Sequence, residues 1–288
     1  MKILIFGGSG MLGHQLLLAY QGKYDVKVTL RNKLSFYAGI KVFNKNNTFP
    51  SIDLNDKQLV EKLLLEVKPD VVINAVGIIK QDNLSKSIIS SIEMNALFPH
   101  QLAEYCKAIN TKMIHLSTDC IFSGKKGFYN EADYPDSEDT YGRTKLLGEV
   151  SDSHCITLRT SIIGLELYRK RSLIEWFLSQ KGYVKGFNRA IYNGFTTKEM
   201  ARIIEMVMFN WPNLSGVWHV SSEPISKFYL LSKLAERIYY PNEIVVDETF
   251  QCDRSLDGSR FRQATGYIPP SWDKMLGELA LQIKQRGA

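Results

Sequence analysis

The sequence predicts an α/β protein: a doubly wound parallel sheet followed by a smaller C-terminal lobe. Three observations predict it. Over residues 1–161, apolar runs of strand length alternate with helical patterns, the rhythm of βαβ units. The runs are apolar throughout rather than alternating, as strands covered on both faces require. A glycine-rich turn joins the first run to the first helix, and past residue 161 the rhythm loosens.

Each element follows from its local pattern. Residues 2–6 (Lys-Ile-Leu-Ile-Phe) are one strand-length run, and residues 10–20 set Met11, Leu12, Leu16 and Leu17 at helical spacing. Strands are expected at 26–30, 71–76, 113–117 and 156–161. Helices are expected at 56–67, 88–109 and 141–150, with right-handed crossovers between the strands. Beyond them, 172–180, 197–209 and 227–238 read as helices and 216–220 as a short strand. The tail, with Pro241, Pro269 and Pro270, reads as loops. The expected division is a nucleotide-binding domain over 1–161, to which 190–220 returns. Residues 162–189 and 221–288 form a second lobe over the carboxyl edge of the sheet, where substrate would bind.

Composition narrows the function classes. The chain has 288 residues, 44% of them hydrophobic and 23% charged, which excludes a disordered or collagenous protein. Its 36 Lys and Arg against 30 Asp and Glu give a net charge of +6. That balance suits an anionic ligand, but the basic residues are too scattered for nucleic acid. Cys106, Cys120, Cys155 and Cys252 show no C-x-x-C pattern and no histidine at metal-ligand spacing, so reduced thiols and no metal are expected. The N-terminal apolar run stops at Gly7-Gly8, too short for a signal peptide, and no run reaches the length of a membrane span. The expected setting is the cytoplasm.

Gly7, Gly10 and Gly13 recur at every third position directly after the first strand. Gly7 permits the tight turn, Gly10 lets backbone approach a pyrophosphate, and Gly13 allows close helix–strand packing. The helix N-terminus, at Met11 and Leu12, then offers N–H groups to the diphosphate. At the first βα junction of a wound sheet this pattern predicts a Rossmann-type dinucleotide site. An NAD site usually carries an acid at the end of the second strand for the ribose 2′-hydroxyl. Here the chain reads Thr29-Leu30-Arg31-Asn32-Lys33. Arg31 can grip a 2′-phosphate, with Lys33 nearby, so NADP(H) is the expected cofactor; the alternative is a solvated basic loop. Asp53 is placed to meet the adenine edge, and Ala75-Val76-Gly77 to lie beside the cofactor.

Tyr141 and Lys145 stand four apart at the start of a predicted helix, hence on one face. A phenol is a poor acid–base group at neutral pH until a nearby ammonium stabilises its phenolate. Ser117-Thr118-Asp119 ends the preceding strand at the sheet's carboxyl edge, and Thr118 can hydrogen-bond the carbonyl oxygen that Tyr141 would protonate.

Together these residues resemble the extended short-chain dehydrogenase/reductases, most closely the dTDP-4-dehydrorhamnose reductase branch. The match is carried by Gly7-x-x-Gly10-x-x-Gly13, Asp53, Asn74-Ala75, Asn95, and Ser117-Thr118-Asp119-x-Ile121-Phe122-Ser123-Gly124. It continues in Tyr141-Gly142-Arg143-Thr144-Lys145-Leu146-Leu147-Gly148-Glu149, Leu158-Arg159-Thr160-Ser161 and Gly266-Tyr267-x-Pro269. The resemblance implies Thr118, Tyr141 and Lys145 as the catalytic triad. It implies a cofactor site extending to Leu54, Asn95 and Ser117, and a substrate contact at Asp119. Arg260, in Asp257-Gly258-Ser259-Arg260 of the substrate lobe, can hold a nucleotide phosphate bidentately; the alternative is a surface or structural arginine. Two segments depart from the family. Ile162-Ile163-Gly164 replaces an aromatic-containing run that lines the sugar pocket, and Gly77-Ile78-Ile79-Lys80-Gln81 replaces a run of small residues.

The implied activity is NADPH-dependent reduction of a nucleoside-diphosphate 4-keto-6-deoxy sugar, serving cell-surface polysaccharide synthesis, by a homodimer. A 4,6-dehydratase would need Asp-Glu after the threonine, and Asp119 is followed by Cys120. Two alternatives stay open: an epimerase on the same fold, and a non-catalytic NADP-binding regulatory subunit. Arg171, Trp176 and Lys185 also fall in the substrate lobe; Trp176, on an apolar stripe, is expected in the core. His14 and His115 read as packing residues.

Overall fold

The computed structural model describes residues 1–80, 87–168 and 170–287. The first half runs β1 (Lys2–Phe6), α1 (Met11–Tyr20), β2 (Asp25–Thr29), β3 (Thr48–Phe49), α2 (Lys57–Val67), β4 (Val71–Asn74), α3 (Ile88–Ser91), α4 (Phe98–Ala108), β5 (Lys112–Thr118), α5 (Thr140–Leu147) and β6 (Cys155–Thr160). Next come β7 (Ile162–Ile163), α6 (Leu173–Ser179), β8 (Val184–Phe187), β9 (Ala190–Tyr192), β10 (Phe195–Thr196), α7 (Thr197–Asn210) and β11 (Gly216–His219). The chain ends with β12 (Ile225–Ser226), α8 (Lys227–Ile238), β13 (Ile244–Asp247), β14 (Cys252–Asp253), α9 (Ser259–Thr265) and α10 (Trp272–Gly287). Two compact units interleave along it. One comprises Met1–Ser117, Asp139–Leu158 and Ala201–Val217; the other Thr118–Glu138, Arg159–Met200 and Trp218–Ala288.

The central sheet has seven strands in the order β11-β6-β5-β4-β1-β2-β3. From β3 to β5 every neighbouring pair is parallel, with Ile3 opposite both Val26 and Val71. Its order reverses between β1 and β4, the switch point where such sheets bind ligands beyond their strand ends. Leu4, Phe6, Val72 and Met113 pack with Leu63, Leu64, Phe98, Leu102 and Cys106 of the helices in one core. Burying each large side chain contributes about 1.5–3 kcal/mol. Phe6 and Phe98 meet edge to face, centroids 5.7 Å apart.

Residues 201–217 join the first unit through specific contacts. The buried Tyr20 hydroxyl donates to the Ala201 carbonyl at 2.8 Å, and the Tyr24 hydroxyl to Glu205 at 2.7 Å. Tyr24 also stacks on Phe209 at 5.1 Å. The stretch expected to be helical over 88–109 is helical without a gap from Ile88 to Ala108, but not α-helical throughout. Residues Ile92–Leu97 form a π-helical segment between α3 and α4. Pro99, which has no N–H to continue the ladder, sits in the first turn of α4.

In the second unit the short strands pair as β12-β9-β14, β10-β7 and β13-β8. Strands of two to four residues show no periodicity in sequence, and apart from β11 none after residue 161 was expected. Pro269 and Pro270, expected to leave the tail as loops, instead precede a helix. Trp272, Met275, Leu276, Leu279 and Ala280 form the buried face of α10. Trp176 is likewise corrected: it is 40% exposed. Ile174 and Phe177, three apart on the short α6, take the interior face, which turns Trp176 away from it. Among the described residues, no helix is long and apolar enough to cross a membrane, and the four cysteines are free thiols.

Candidate active site

The glycine turn takes a different constraint at each position. Gly7 has φ +88°, and a side chain there would press on the Ala75 carbonyl. At Gly13 a Cβ would lie 2.1 Å from the Gly7 oxygen, so only glycine lets α1 approach β1. At Gly10 a Cβ would meet the Gly7 oxygen at 3.2 Å and nothing else nearer than 4.0 Å. Apart from that tight contact with the Gly7 oxygen, room is left beside the Gly10 backbone. Gly10 caps α1 with no side-chain hydrogen bond, which leaves the first-turn N–H groups of Met11, Leu12 and Gly13 to a ligand. Sequence reasoning missed Gly8, where a Cβ would lie 2.4 Å from Val28 of β2. This partner is remote in sequence, so spacing alone does not reveal it.

Arg31 and Lys33 are exposed just past β2, and Asp53 is exposed with its carboxylate accepting from Asn55 N–H at 3.0 Å. Leu54 is half-buried beside it. Ala75 N–H donates to the Phe6 carbonyl at 3.1 Å, and Val76 N–H to the Asn74 side chain at 3.1 Å, which folds this loop past the end of β1. Asn95 then fixes the loop beyond Gly77. Its side chain accepts from Ile78 N–H at 2.8 Å and donates to the Ile78 carbonyl at 3.0 Å and to Thr144 on α5 at 3.3 Å. Lys80 is described, whereas Gln81 of the same departing segment lies outside the described residues.

Helix α5 starts at a strong cap: the Asp139 carboxylate accepts from Gly142 N–H at 2.9 Å. The Lys80 ammonium donates to the same carboxylate at 2.6 Å and lies 6.0 Å from the Tyr141 ring centroid. Tyr141 is half-buried on a cavity of about 180 Å³ that Ile78, Lys80, Ser91, Asp139 and Thr140 also line. One turn on, Lys145 is buried and donates to the Leu116 carbonyl of β5 at 2.7 Å. Burial pulls its ammonium down to about 8, opposed by the Glu149 carboxylate. Ser117 is buried and donates to Glu149 at 2.6 Å. Neither the Lys80–Asp139 pair nor its closeness to Tyr141 was read from sequence; the signal available was an aspartate three residues before Gly142.

The second unit opens with Thr118, the last residue of β5. Its buried hydroxyl donates to the buried Asp119 carboxylate at 3.1 Å and accepts from Cys120 N–H at 3.1 Å. Asp119 in turn helps burial raise the Tyr192 phenol well above its ordinary value. Arg260, half exposed, stacks its guanidinium 3.8 Å from the Trp218 ring centroid and lies 3.5 Å from Glu131. Lys185, by contrast, pairs with Asp247 at 3.3 Å. Among the described residues, no group of three or more His, Cys, Asp or Glu is placed to hold a metal ion.

A family model described as the RmlD substrate binding domain matches residues 1–243. The chain belongs to this family. It is 25% identical over 308 residues to a dTDP-4-dehydrorhamnose reductase of Aggregatibacter actinomycetemcomitans, covering 96% of this chain and 97% of that one. A hypothetical dTDP-4-dehydrorhamnose reductase from Sulfolobus tokodaii superposes with a TM-score of 0.76 at 26% identity, over 95% of this chain and 98% of its own. The Bacillus anthracis dTDP-4-dehydrorhamnose reductase, solved with NADP, shares the fold at a TM-score of 0.78 and 19% identity, over 98% of this chain and 99% of its own. The resemblance read from the glycine turn and the Tyr141–Lys145 helix therefore holds along nearly the whole chain.

Proposed function

We infer that this family member is an NADPH-dependent reductase of the 4-keto group of a nucleoside-diphosphate 4-keto-6-deoxy sugar, contributing sugars for cell-surface polysaccharide. Relatives matched over nearly their whole length bear the name dTDP-4-dehydrorhamnose reductase. The observation that carries the reading is Lys145, an ammonium sunk beneath β5 one turn after a half-buried tyrosine. Burying a charge is costly, and a module that only binds a nucleotide has no use for an activated phenol.

The room beside the Gly10 backbone and the uncapped start of α1 fit a dinucleotide diphosphate, with Gly7, Gly13, Ala75 and Val76 shaping the walls. Arg31 is the residue to hold a 2′-phosphate, and Asp53, Leu54, Gly77, Asn95 and Ser117 border the remainder. NADPH supplies the hydride when bound. Tyr141 then protonates the carbonyl oxygen as general acid, Lys145 stabilises the phenolate left behind, and Thr118 orients that oxygen. For that task the Thr118 hydroxyl turns its proton from Asp119 toward substrate. The exposed fork of Arg260, braced on Trp218, suits a substrate phosphate, and Asp119 a sugar hydroxyl.

The test is to incubate the protein with NADPH and a panel of such keto sugars while following nicotinamide absorbance. Net NADPH consumption is expected, which an epimerase would not show. Tyr141→Phe should slow turnover about 10²–10⁴-fold while leaving NADPH affinity unchanged. A protein that binds NADPH but reduces none of the panel would return the reading to a regulatory subunit.

A further inference from the structure

His115 is fully buried in the middle of β5 and has no place in the reduction described above. Its Nε2 lies 3.5 Å from the Lys145 ammonium, which also donates to the carbonyl of the next residue, Leu116, at 2.7 Å. The opposite ring nitrogen, Nδ1, is buried without a hydrogen-bond partner among the described residues. Asn74 stands opposite His115 in the β4–β5 register, and its side-chain nitrogen is likewise buried without one. An ammonium has three donors and no acceptor, so a ring beside it helps only as a neutral acceptor. An imidazolium there would set two cations together where the dielectric is low. Nε2 must then carry the lone pair, and Nδ1 the proton.

We propose that His115 is a positioning residue for Lys145: its neutral imidazole offers the Nε2 lone pair to the ammonium and holds it against β5. The proposal rests on the functional reading only in giving Lys145 work to do; the pairing itself stands on geometry. Every charged group facing the pair agrees with it. Glu149, just past α5, favours the Lys145 ammonium, while Lys145 and His100 of α4 both oppose protonation of His115. Asn74 on the β4 side is neutral. Burial, Lys145 and His100 hold His115 well below the ordinary histidine value, which favours the neutral ring, and Lys145, pulled down to about 8, titrates above it.

Two measurements test this. In the unmodified protein, long-range ¹H–¹⁵N correlation through the His115 ring should show a protonated Nδ1 and a bare Nε2 from about pH 6 to 8. An Nε2–H tautomer, or an imidazolium in that range, overturns the proposal without any variant. The second follows the titration of Lys145 by ¹³C NMR at Cε, assigned with Lys145→Met. His115→Leu deletes the acceptor and should lower the Lys145 midpoint by about one pH unit, the worth of one hydrogen bond to a charged group. His115→Gln keeps an acceptor oxygen and should leave the midpoint near the parent value. An unchanged midpoint in a folded His115→Leu protein overturns the proposal; should that variant not fold, the tautomer of the parent decides. In keto-sugar reduction the alkaline limb of kcat/KM should move with the Lys145 midpoint. A protein that reduces no sugar, yet shows the tautomer and the shift, would retire the functional reading and keep the pairing.

Discussion

Gly10 and Gly13 lie three residues apart in one turn, yet a side chain is crowded to a different degree at each. At Gly13 the added Cβ would lie 2.1 Å from the Gly7 oxygen, backbone that cannot step aside; at Gly10 it meets the same oxygen at 3.2 Å, a tight contact that a small shift relieves. Gly13→Ala is therefore expected to destabilise the fold, by about 1–3 kcal/mol or more for overpacking of this kind. Gly10→Val should still fold, melt less far below the parent than Gly13→Ala, and lose NADPH binding, because its branches fill the space a diphosphate needs. Calorimetric titration of both variants with NADPH checks the contrast; tight binding by Gly10→Val would make this turn purely structural. Lys145 shows the reverse relation between stability and function. Its folded value, about 8, lies below the 10.5 of an unperturbed lysine, so between them the unfolded chain binds more protons. Stability therefore rises with pH through that window, and below it the buried ammonium costs up to roughly 3 kcal/mol. Lys145→Met should accordingly melt no lower than the parent at neutral pH and lose the rise above pH 8. Thermal unfolding of parent and variant across the alkaline range reads both; a marked loss of stability at neutral pH would show that the ammonium's hydrogen bonds outweigh its desolvation.

Helix α5 has eight residues, and its sequence carries little amphipathic pattern, so its start depends on its cap. Asp139 supplies the cap and receives Lys80, tying the loop after β4 to the turn that presents Tyr141. Asp139→Ala should cost about 1 kcal/mol through the lost cap, whereas Asp139→Asn keeps the acceptor and most of the stability. Urea midpoints for the pair separate capping from the ion pair, which at its partial exposure adds little. Equal midpoints for Ala and Asn would show that the cap contributes nothing. The same division, local pattern against distant partner, decides what sequence alone reveals. Strands β1, β4 and β5 and helices α1, α2 and α8 are legible because their apolar spacing is local and uninterrupted. The π-helical segment between α3 and α4 hides inside a helical pattern, although Pro99 marks its end. Helix α10 hides behind Pro269 and Pro270, even though Met275, Leu276, Leu279 and Ala280 have helical spacing. In the site, the glycine turn and the Tyr141–Lys145 pair are legible by spacing, and Asn95 only through the family resemblance. The Gly8 contact and the His115 pairing are not legible, since each runs to a partner at least twenty residues away.

At the scale of the whole chain, the two compact units are not successive segments. The chain leaves the first unit after Ser117, returns for Asp139–Leu158, leaves again, and returns for Ala201–Val217. The last return matters for stability. Within the first unit, Ala201 accepts the buried Tyr20 hydroxyl, Glu205 accepts from Tyr24, and Phe209 stacks on Tyr24. Ile203, Ile204 and Val207 on the same helix are fully or almost fully buried. A fragment ending at residue 161 keeps β1 to β6 and the glycine turn, everything that reads as a nucleotide-binding domain in sequence. It loses α7 and β11. Exposing three such aliphatic side chains forfeits about 1.5–3 kcal/mol each, and an orphaned buried Tyr20 hydroxyl a further 1–3 kcal/mol. Native domains hold only about 5–15 kcal/mol in reserve. The fragment 1–161 is therefore expected to show no cooperative thermal transition. Saturating NADPH, which would add about 2.7 kcal/mol at a hundredfold excess over its Kd, should not restore one. The intact chain under the same conditions should unfold cooperatively and melt higher with NADPH present. Differential scanning calorimetry of both proteins, with and without the dinucleotide, decides the matter. A fragment that melts cooperatively and gains stability from NADPH would mean that β1 to β6 hold the cofactor without α7.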